Sequence, residues 1–250
     1  MVNPYYPVLL AAELILAPVV FILLFFITAP YGRFDRRGWG PVLSSRTAWM
    51  LMESPSLVLP VLMALRSSPN AGGLIFLLIW LSHYFHRAVI YPFRISSPGK
   101  PFSLLIMSWG FLFNMINSYV NFYFIFHMAT HYDFSWFTST RFIAGFLIFA
   151  GGYLINKHSD ALLRSLRGEG NRGYSIPEGG LYRWISAPNY LGEILEWGGW
   201  ALMVWSLPGT AFFLFTVANL LPRAMKIHKW YGETFSSYPE ERKAIIPFFF

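Results

Sequence analysis

The chain is too apolar and too poor in charge for a soluble domain: 55% of its 250 residues are hydrophobic and 12% are charged, about half the usual charged fraction. Its net charge of +7 does not indicate nucleic-acid binding, because the basic residues lie in short loops between apolar segments. The absence of cysteine excludes disulfides, thiol nucleophiles and cysteine-ligated metals. These properties predict one all-α integral membrane domain over residues 1–250.

Seven apolar segments follow one another along the chain, each near the roughly 20 residues that a helix needs to cross a bilayer. We predict transmembrane helices at 8–28, 47–66, 72–94, 102–127, 138–156, 188–206 and 210–226. Turn formers separate several of them, as at Ser67-Ser68-Pro69-Asn70, Ser96-Ser97-Pro98-Gly99 and Ser206-Leu207-Pro208-Gly209.

The basic residues also predict the orientation of the chain in the membrane. With seven spans, all of the 19 lysines and arginines except Arg66 and Arg141 fall on one side. Because positive charge concentrates on the cytoplasmic side, we predict an external N-terminus and a cytoplasmic C-terminus. The tail over 223–250 alternates charged and aromatic residues, which predicts an amphipathic helix at the interface, with a role in covering a ligand left open.

Two polar side chains in neighbouring spans are candidates for contact with a substrate. Glu53 lies early in the second span, and Tyr84 lies in the third with Arg87 and Tyr91 one and two turns further on. A carboxyl group in lipid can stay neutral and donate a hydrogen bond. Two interpretations therefore remain open: a hydrogen bond within the helix bundle, or a Glu and a Tyr that polarise one substrate oxygen.

The stretch 156–197 combines a cationic loop with polar groups in an apolar helix. The loop carries Lys157, Arg164, Arg167, Arg172 and Arg183, and the helix that follows carries Asn189, Tyr190, Glu193 and Glu196. Polar groups inside a membrane helix are costly and are therefore functional candidates. The pattern favours a site for a large anionic ligand, although Glu193 and Glu196, with no histidine nearby in the sequence, also fit a hydrogen-bonded pair inside the bundle.

Two other motifs do not indicate the chemistry that they formally match. The glycine pattern at 168–173 follows a basic helical segment rather than a strand, which excludes a Rossmann dinucleotide site. The histidines at 83, 86, 127 and 131 are too few and too scattered for a di-iron site, so we expect no metal.

Four segments carry a family resemblance: HYFHRAVIYP at 83–92, NKHSDALLRSLR at 156–167, GYSIPEGGLYRWISAPNYLGEILEWGGWAL at 173–202, and HKWYGETFSSYPEERKAIIPFFF at 228–250. With these segments, the chain from Met52 to Phe250 resembles the steroid 5α-reductase family, and we expect a bacterial-type member. Residues 46–250 would thus form the catalytic region, and residues 1–45 the first span and a basic loop. The chain departs from the family pattern at Met52 and Ser175, where a glutamine and an arginine are frequent.

The resemblance implies a seven-helix fold that encloses NADPH and a 3-oxo-Δ4 steroid, with hydride transfer to C5 and protonation at C4. By motif, Glu53 and Tyr84 would be catalytic and contact the steroid carbonyl oxygen. The cofactor-binding positions would be Arg87, Tyr91, Asn156, Asp160, Arg167, Tyr174, Asn189, Glu193, Arg223 and Tyr231. The expected product is a 5α-reduced 3-oxosteroid, made by a monomer in a bacterial inner membrane or, in a eukaryote, the endoplasmic reticulum.

Three alternatives remain open from the sequence. A trans-enoyl-CoA reductase or another lipid enone reductase of the same superfamily shares the C-terminal motifs. An isoprenylcysteine-type membrane methyltransferase resembles this half too, but uses S-adenosylmethionine. A sterol-binding or transport protein would leave Glu53 and the cationic loop to structural roles.

Overall fold

The computed structural model describes residues 3–36, 38–95, 98–166 and 173–249, and within these ranges it contains seven long helical segments. They are α1 Tyr5–Phe26, α2 Ser45–Ser67, α3 Ala71–Phe85 with its continuation, α5 Leu104–Tyr123, α7 Thr140–Ser165, α8 Pro188–Val204 and α9 Leu207–Thr234. A π-helical turn at His86–Ile90 joins α3 to α4 Tyr91–Arg94, another at Phe124–Met128 extends α5, and α6 Phe134–Phe137 is short. The remaining elements are strands β1 Val42–Ser44 and β2 Pro101–Ser103 and 3₁₀ turns at Gly32–Phe34 and Gly180–Arg183.

Each predicted apolar segment coincides with one of these helices, with ends that differ by a few residues except for α7 and α9. In the part of the chain that the structure describes, three helical segments are long and apolar enough to cross a membrane: Tyr5–Phe26, Ser45–Ser67 and Ala71–Arg94. The other four carry more polar residues or are shorter, as with Asn114, Asn117 and Asn121 on α5. The chain is therefore helical with membrane-spanning candidates, and the seven crossings and their orientation stay predictions.

Helix starts follow from side chains that cap free backbone N–H groups. Ser206, for example, accepts a hydrogen bond from the Gly209 N–H at 3.1 Å, with Pro208 in the first turn of α9. Such caps satisfy donors that have no partner inside the helix. The same arrangement begins α2 at Ser44, α3 at Asn70, α5 at Ser103, α6 at Asp133 and α7 at Ser139.

Helices α7 and α8 lie close together because glycines face each other along their contact. A Cβ atom added to Gly145 would lie 2.9 Å from the Gly199 carbonyl oxygen, and one added to Gly192 would lie 2.5 Å from the Asn156 nitrogen. Small residues at such seams allow helix backbones to approach in membrane proteins. The close approach brings Asn156 of α7 against the first turn of α8, where its Nδ2 donates to the Asn189 carbonyl oxygen at 2.9 Å.

Aromatic side chains fill the centre of the bundle. Trp80, Trp197 and Trp200 are almost completely buried and contact one another at ring-centroid distances of 5.1–6.5 Å. Their indole groups need hydrogen-bond partners when buried: Trp80 Nε1 donates to the Ser56 carbonyl oxygen at 2.8 Å, and Trp200 Nε1 donates to Asn121 Oδ1 at 3.1 Å. These bonds fix α3 against α2 and α8 against α5.

The connections on the basic side are tied together. Strands β1 and β2 pair antiparallel, with Val42 opposite Ser103, and so join the first connection to the third. The expectation of a helix over the whole tail 223–250 was wrong, because α9 ends at Thr234. Beyond it the chain folds back, and Ser186 donates from its backbone nitrogen to the Lys243 carbonyl oxygen at 2.9 Å. Tertiary contacts with the segment before α8 replace the helical hydrogen bonds there.

Candidate active site

A cavity of about 590 Å³ lies between the helices and collects nearly all of the predicted site residues. Eleven of the twelve line it: Glu53, Tyr84, Arg87, Tyr91, Asn156, Asp160, Tyr174, Asn189, Glu193, Arg223 and Tyr231. Arg167, the twelfth, lies outside the described residues, as do most residues of the glycine pattern at 168–173. The structure therefore brings together residues that are up to 178 positions apart, from Glu53 to Tyr231.

Glu53 lies buried on α2 with a donor at each of its two oxygens. Arg87 Nε donates to Oε1 at 3.3 Å, and Asn114 Nδ2 donates to Oε2 at 3.2 Å. Asn114 Nδ2 is also 2.8 Å from the Met52 carbonyl oxygen, which holds the amide in place. Each oxygen of Glu53 therefore accepts one hydrogen bond, Oε1 from a cation and Oε2 from an amide.

Arg87 is the residue that connects the two predicted groups of side chains. Its Nη2 atom lies 3.8 Å from Glu193 Oε2, in addition to the contact with Glu53. Its guanidinium lies over the rings of Trp49 and Tyr91, at 4.5 and 5.2 Å from their centroids. Planar stacking of this kind is a property of arginine that lysine lacks. The cation therefore holds a fixed position between α2, α3 and α8.

Tyr84 lies one helical turn before Arg87 and is positioned by aromatic packing. Its side chain is 3% exposed, and its ring centroid lies 4.8 Å from that of Trp80 and 5.6 Å from that of Trp197. The π-helical turn at His86–Ile90 begins two residues after Tyr84. Such turns rotate the following side chains relative to a regular α-helix and are frequent at functional sites. Tyr84 and Glu53 both line the cavity, from different helices.

A second polar group lies where α7 approaches α8. Asn189 Nδ2 donates to Asp160 Oδ1 at 3.2 Å, and Asn156 lies one turn before Asp160 on the same face of α7. Asn189 reaches this position because Pro188 begins α8 directly beside the glycine seam. The group offers amide and carboxyl hydrogen-bonding atoms to the cavity, which suits a polar ligand with donors as well as acceptors.

Arginines line the basic end of the cavity. Arg223 is buried. Its Nε atom donates to the Tyr190 hydroxyl at 3.0 Å, and its Nη2 atom donates to the Tyr31 carbonyl oxygen at 2.9 Å. Its guanidinium carbon also lies 3.6 Å from the centroid of the Tyr31 ring. Arg33 donates from Nη2 to the Tyr231 hydroxyl at 3.1 Å. Burial raises the pKa of the Tyr31 hydroxyl above its usual range, and Arg223 opposes this in part. Tyr31 is therefore a neutral hydrogen-bonding group at this end.

Sequence reasoning missed four features of the site and its surroundings. The amide of Asn114 was counted only as part of an apolar span, and Arg33 only as a charge that orients the chain. Glu196 was paired with Glu193 within α8, but the structure pairs it with His83 instead, with Nδ1 and Oε1 2.7 Å apart. Glu13, which is 2% exposed and lines the cavity from α1, was not considered, although a carboxyl group in an apolar span was the signal that identified Glu53.

No group of three or more histidines and carboxylates is arranged for a metal ion in the described ranges. The polar part of the cavity lining consists of hydrogen-bonding side chains and arginines.

Comparisons with known proteins agree with the resemblance in the sequence. The family model described as 3-oxo-5-alpha-steroid 4-dehydrogenase matches residues 100–250. The chain is 43% identical over 244 residues to the steroid 5-alpha-reductase DET2 of Gossypium hirsutum, covering 94% of each chain. It is 41% identical over 242 residues to the 3-oxo-5-alpha-steroid 4-dehydrogenase 1 of Bos taurus, covering 94% of this chain and 93% of that protein. With the Homo sapiens protein of the same name it shares 43% identity over 227 residues, or 88% of this chain and 86% of that protein. The predicted family is confirmed, and the chain belongs to the 3-oxo-5-alpha-steroid 4-dehydrogenase family.

Proposed function

We propose that this protein reduces the Δ4 double bond of 3-oxo-Δ4 steroids with NADPH, by hydride transfer to C5, and releases 5α-reduced 3-oxosteroids. The observation that carries this proposal is the single cavity that Glu53 and Tyr84 share with the polar and basic groups of α7, α8 and α9. The names of the relatives support the steroid substrate.

The basic end of the cavity fits the phosphates of NADPH. Arg33 lines the cavity there, and its buried Nη1 atom has no hydrogen-bond partner among the described residues. An unsatisfied buried donor on a cation is costly unless a ligand accepts from it. Arg164 and Arg223 line the same cavity. This arrangement supports the phosphorylated dinucleotide, and Asn156, Asp160, Asn189 and Glu193 would hold its uncharged part.

The other end of the cavity fits a steroid body. Its walls there are apolar side chains of α1, α5 and α9, among them Leu16, Val20, Phe113 and Phe215. Phe113 and Phe215 stack at a centroid distance of 3.9 Å. Apolar walls with a few placed polar groups are the usual composition of a small-molecule site. Glu53 and Tyr84 would contact the steroid oxygen where the apolar and polar ends meet.

The reaction requires stabilisation of negative charge on the carbonyl oxygen. NADPH, when bound, supplies the hydride that reduces the enone at C5. The Tyr84 hydroxyl would donate to the carbonyl oxygen as charge develops there, which lowers the barrier because this bond is stronger in the transition state than in the ketone. Glu53 can donate to the same oxygen only while it carries a proton. One of its oxygens must then give up its hydrogen bond to Arg87 or Asn114 and form one with the substrate instead. A proton from solvent completes the reaction at C4.

Arg87 would act by positioning. It fixes the Glu53 carboxyl group and, through Glu193, connects it to the surface proposed for the cofactor. Because these contacts lie in a buried site, they are stronger than the same contacts in water. We propose a monomer in a membrane that the chain crosses seven times, with the basic connections in the cytoplasm. The bacterial source and the host membrane stay predictions.

A substrate panel separates this function from its alternatives. Purified protein would be incubated with NADPH and either a 3-oxo-Δ4 steroid or a trans-2-enoyl-CoA, and separately with S-adenosylmethionine and an isoprenylated cysteine peptide. We expect NADPH consumption only with the steroid, and a 5α-reduced 3-oxosteroid as the product. Consumption only with the enoyl-CoA, or methyl transfer, would assign the chain to one of the other enzyme classes. Steroid binding without turnover would favour the sterol-binding alternative.

A further inference from the structure

Glu13 is a buried carboxyl group to which the proposed reaction assigns no role. It lies in the middle of α1, the most apolar of the three membrane-spanning candidates, and is 2% exposed. Neither of its oxygens has a hydrogen-bond partner among the described residues. A polar group buried without a partner is costly, and the cost is greater still for a carboxyl group at the depth of a membrane helix. A ligand that bonds to it would remove that cost.

The side chain lies at the wall of the same cavity as Glu53 and Tyr84. Along α1, Glu13, Leu16, Val20 and Leu24 form a stripe at helical spacing, and all four line the cavity. The stripe runs toward Tyr31 at the basic end, so Glu13 marks the opposite, apolar end. The group is thus presented to the space proposed for the steroid, not to lipid.

Contacts with α5 show how Glu13 and Glu53 are separated. Glu53 bonds to Asn114 on α5. Leu10, one turn before Glu13, packs in a cluster with Val120, which lies further along α5 from its basic-side end. Val120 lies six positions beyond Asn114, and Glu13 lies one turn nearer the basic end than Leu10, so Glu13 is deeper than Glu53 by about one helical turn. The cavity has two carboxyl groups, one near each end of its apolar part.

We propose that Glu13 is a specificity-determining residue that hydrogen bonds a hydroxyl or carbonyl group at the end of the steroid remote from the enone. A steroid is a rigid, largely apolar body, so a carbonyl oxygen held by Tyr84 and Glu53 fixes where the other end lies. A polar group at that end needs a partner in the apolar part of the cavity, and Glu13 can both donate and accept there. This inference rests on the proposed function and deepens it by naming the residue that would distinguish 3-oxo-Δ4 steroids by a second oxygen at C17 or on the side chain.

Thr216 offers a matched control on α9. It also lines the apolar part of the cavity, but its hydroxyl already donates to the Phe212 carbonyl oxygen at 2.9 Å. A Thr216→Val substitution keeps the shape of the side chain and removes a hydroxyl that already has its hydrogen-bond partner inside the protein. It should change the reduction of all steroids to the same extent.

The test compares two 3-oxo-Δ4 steroids that differ only in a hydroxyl at C17, with the wild type, Glu13→Leu, Glu13→Gln and Thr216→Val. One neutral hydrogen bond corresponds to about a three- to tenfold preference in kcat/KM, so the wild type should favour the hydroxylated steroid by that factor. Glu13→Leu should lose the preference, mainly through a higher KM, while NADPH affinity stays unchanged. Glu13→Gln, which still donates and accepts, should retain most of it.

Three results would overturn the inference. They are a wild type without preference, a Glu13→Leu protein that retains it, and a Glu13→Leu protein that loses activity equally on both steroids. NADPH binding shows whether Glu13→Leu folds. If it does not fold, the test rests on the kcat/KM ratio of the two steroids in the wild type and in Glu13→Gln. A wild type without the preference, or a Glu13→Gln protein that loses it, contradicts the inference. A wild type that reduces neither steroid would refute the proposed function itself, whereas equal reduction of both would refute only the role of Glu13.

Discussion

Arg87 donates from its Nε atom to Oε1 of Glu53 at 3.3 Å, across two helices and 34 positions of sequence. The same guanidinium lies 3.8 Å from Glu193, so one cation balances two carboxyl groups, of which that of Glu53 is buried. Removal of one charge from this cluster leaves the oppositely charged side chains without an ion-pair partner. This costs more stability than the loss of an ion pair on the surface. The contact makes the proposed catalytic carboxyl group and the proposed cofactor surface depend on each other.

Substitution of Arg87 should therefore impair both turnover and cofactor binding. We expect Arg87→Ala to lower kcat/KM by about ten- to a hundredfold, since charge-assisted hydrogen bonds contribute about 1.5–3 kcal/mol each. Arg87→Lys should recover little, because lysine cannot stack on Trp49 and Tyr91 while reaching both carboxyl groups. Steady-state kinetics with NADPH and a 3-oxo-Δ4 steroid measure this. Lys229→Ala is the control, because the Lys229–Glu233 pair is exposed; equal losses in both proteins would contradict the role of Arg87.

The proposed catalytic pair is tested by removing each donor in turn. Loss of one donor to a developing oxyanion typically lowers turnover about 10²–10³-fold. We expect this loss in Glu53→Ala, a similar one in Tyr84→Phe, and an intermediate or equal one in Glu53→Gln. NADPH binding, measured by fluorescence titration, should survive in Tyr84→Phe, because only a hydroxyl is deleted. Near-normal turnover of Glu53→Ala on every enone tested would mean that the pair is structural.

Cofactor binding is tested at the basic end and at the α7–α8 contact. Arg223→Ala should raise the KM for NADPH about tenfold or more, for the loss of a charge-assisted contact. Because Arg223 also bonds to the Tyr31 and Ala29 carbonyl oxygens, thermal unfolding of the variant must be measured alongside. Asp160→Ala removes the partner of Asn189 and should weaken NADPH binding without an effect on the apolar end. Tight NADPH binding in the double variant would place the cofactor elsewhere.

The proposed orientation in the membrane is tested with single cysteines, since the chain has none of its own. Glu178 lies in the connection between α7 and α8, Ser135 lies between α5 and α7, and both are exposed. Impermeant maleimides should label Glu178→Cys only from the cytoplasmic side and Ser135→Cys only from the outside. Labelling of both positions from one side would refute the seven-crossing arrangement.

The helices could be predicted from the sequence because apolar length and turn formers act locally. Ser206-Leu207-Pro208-Gly209 predicts a break, and Ser206 does cap the helix that begins there. Contacts across the bundle could not be predicted, because they depend on how the helices pack. The bond between His83 and Glu196 spans 113 positions, and it replaces the expected pair within α8. Arg87 reaches Glu53 from within the π-helical turn at His86–Ile90, which no apolar pattern indicates.

The site residues divide in the same way. All twelve candidates were identified by motif, and the eleven that the structure describes line one cavity. Arg33 and Asn114 were not identified, because an arginine in a loop and an amide in a span have several ordinary explanations until their neighbours are known. The fold of the tail was mispredicted for a related reason. Its charge pattern suits an interfacial helix, but the backbone of residues 243 and 244 bonds to the segment before α8 instead.

The most direct test of the proposed function is to follow the hydride. Purified protein would reduce a 3-oxo-Δ4 steroid with NADPH that carries deuterium at C4 of the nicotinamide, in ordinary water. Deuterium NMR of the product locates the label. We predict deuterium at C5 on the α face, a hydrogen from water at C4, and an intact 3-oxo group. Deuterium at C3, or a 5β product, would contradict the proposed reaction at the Glu53–Tyr84 site.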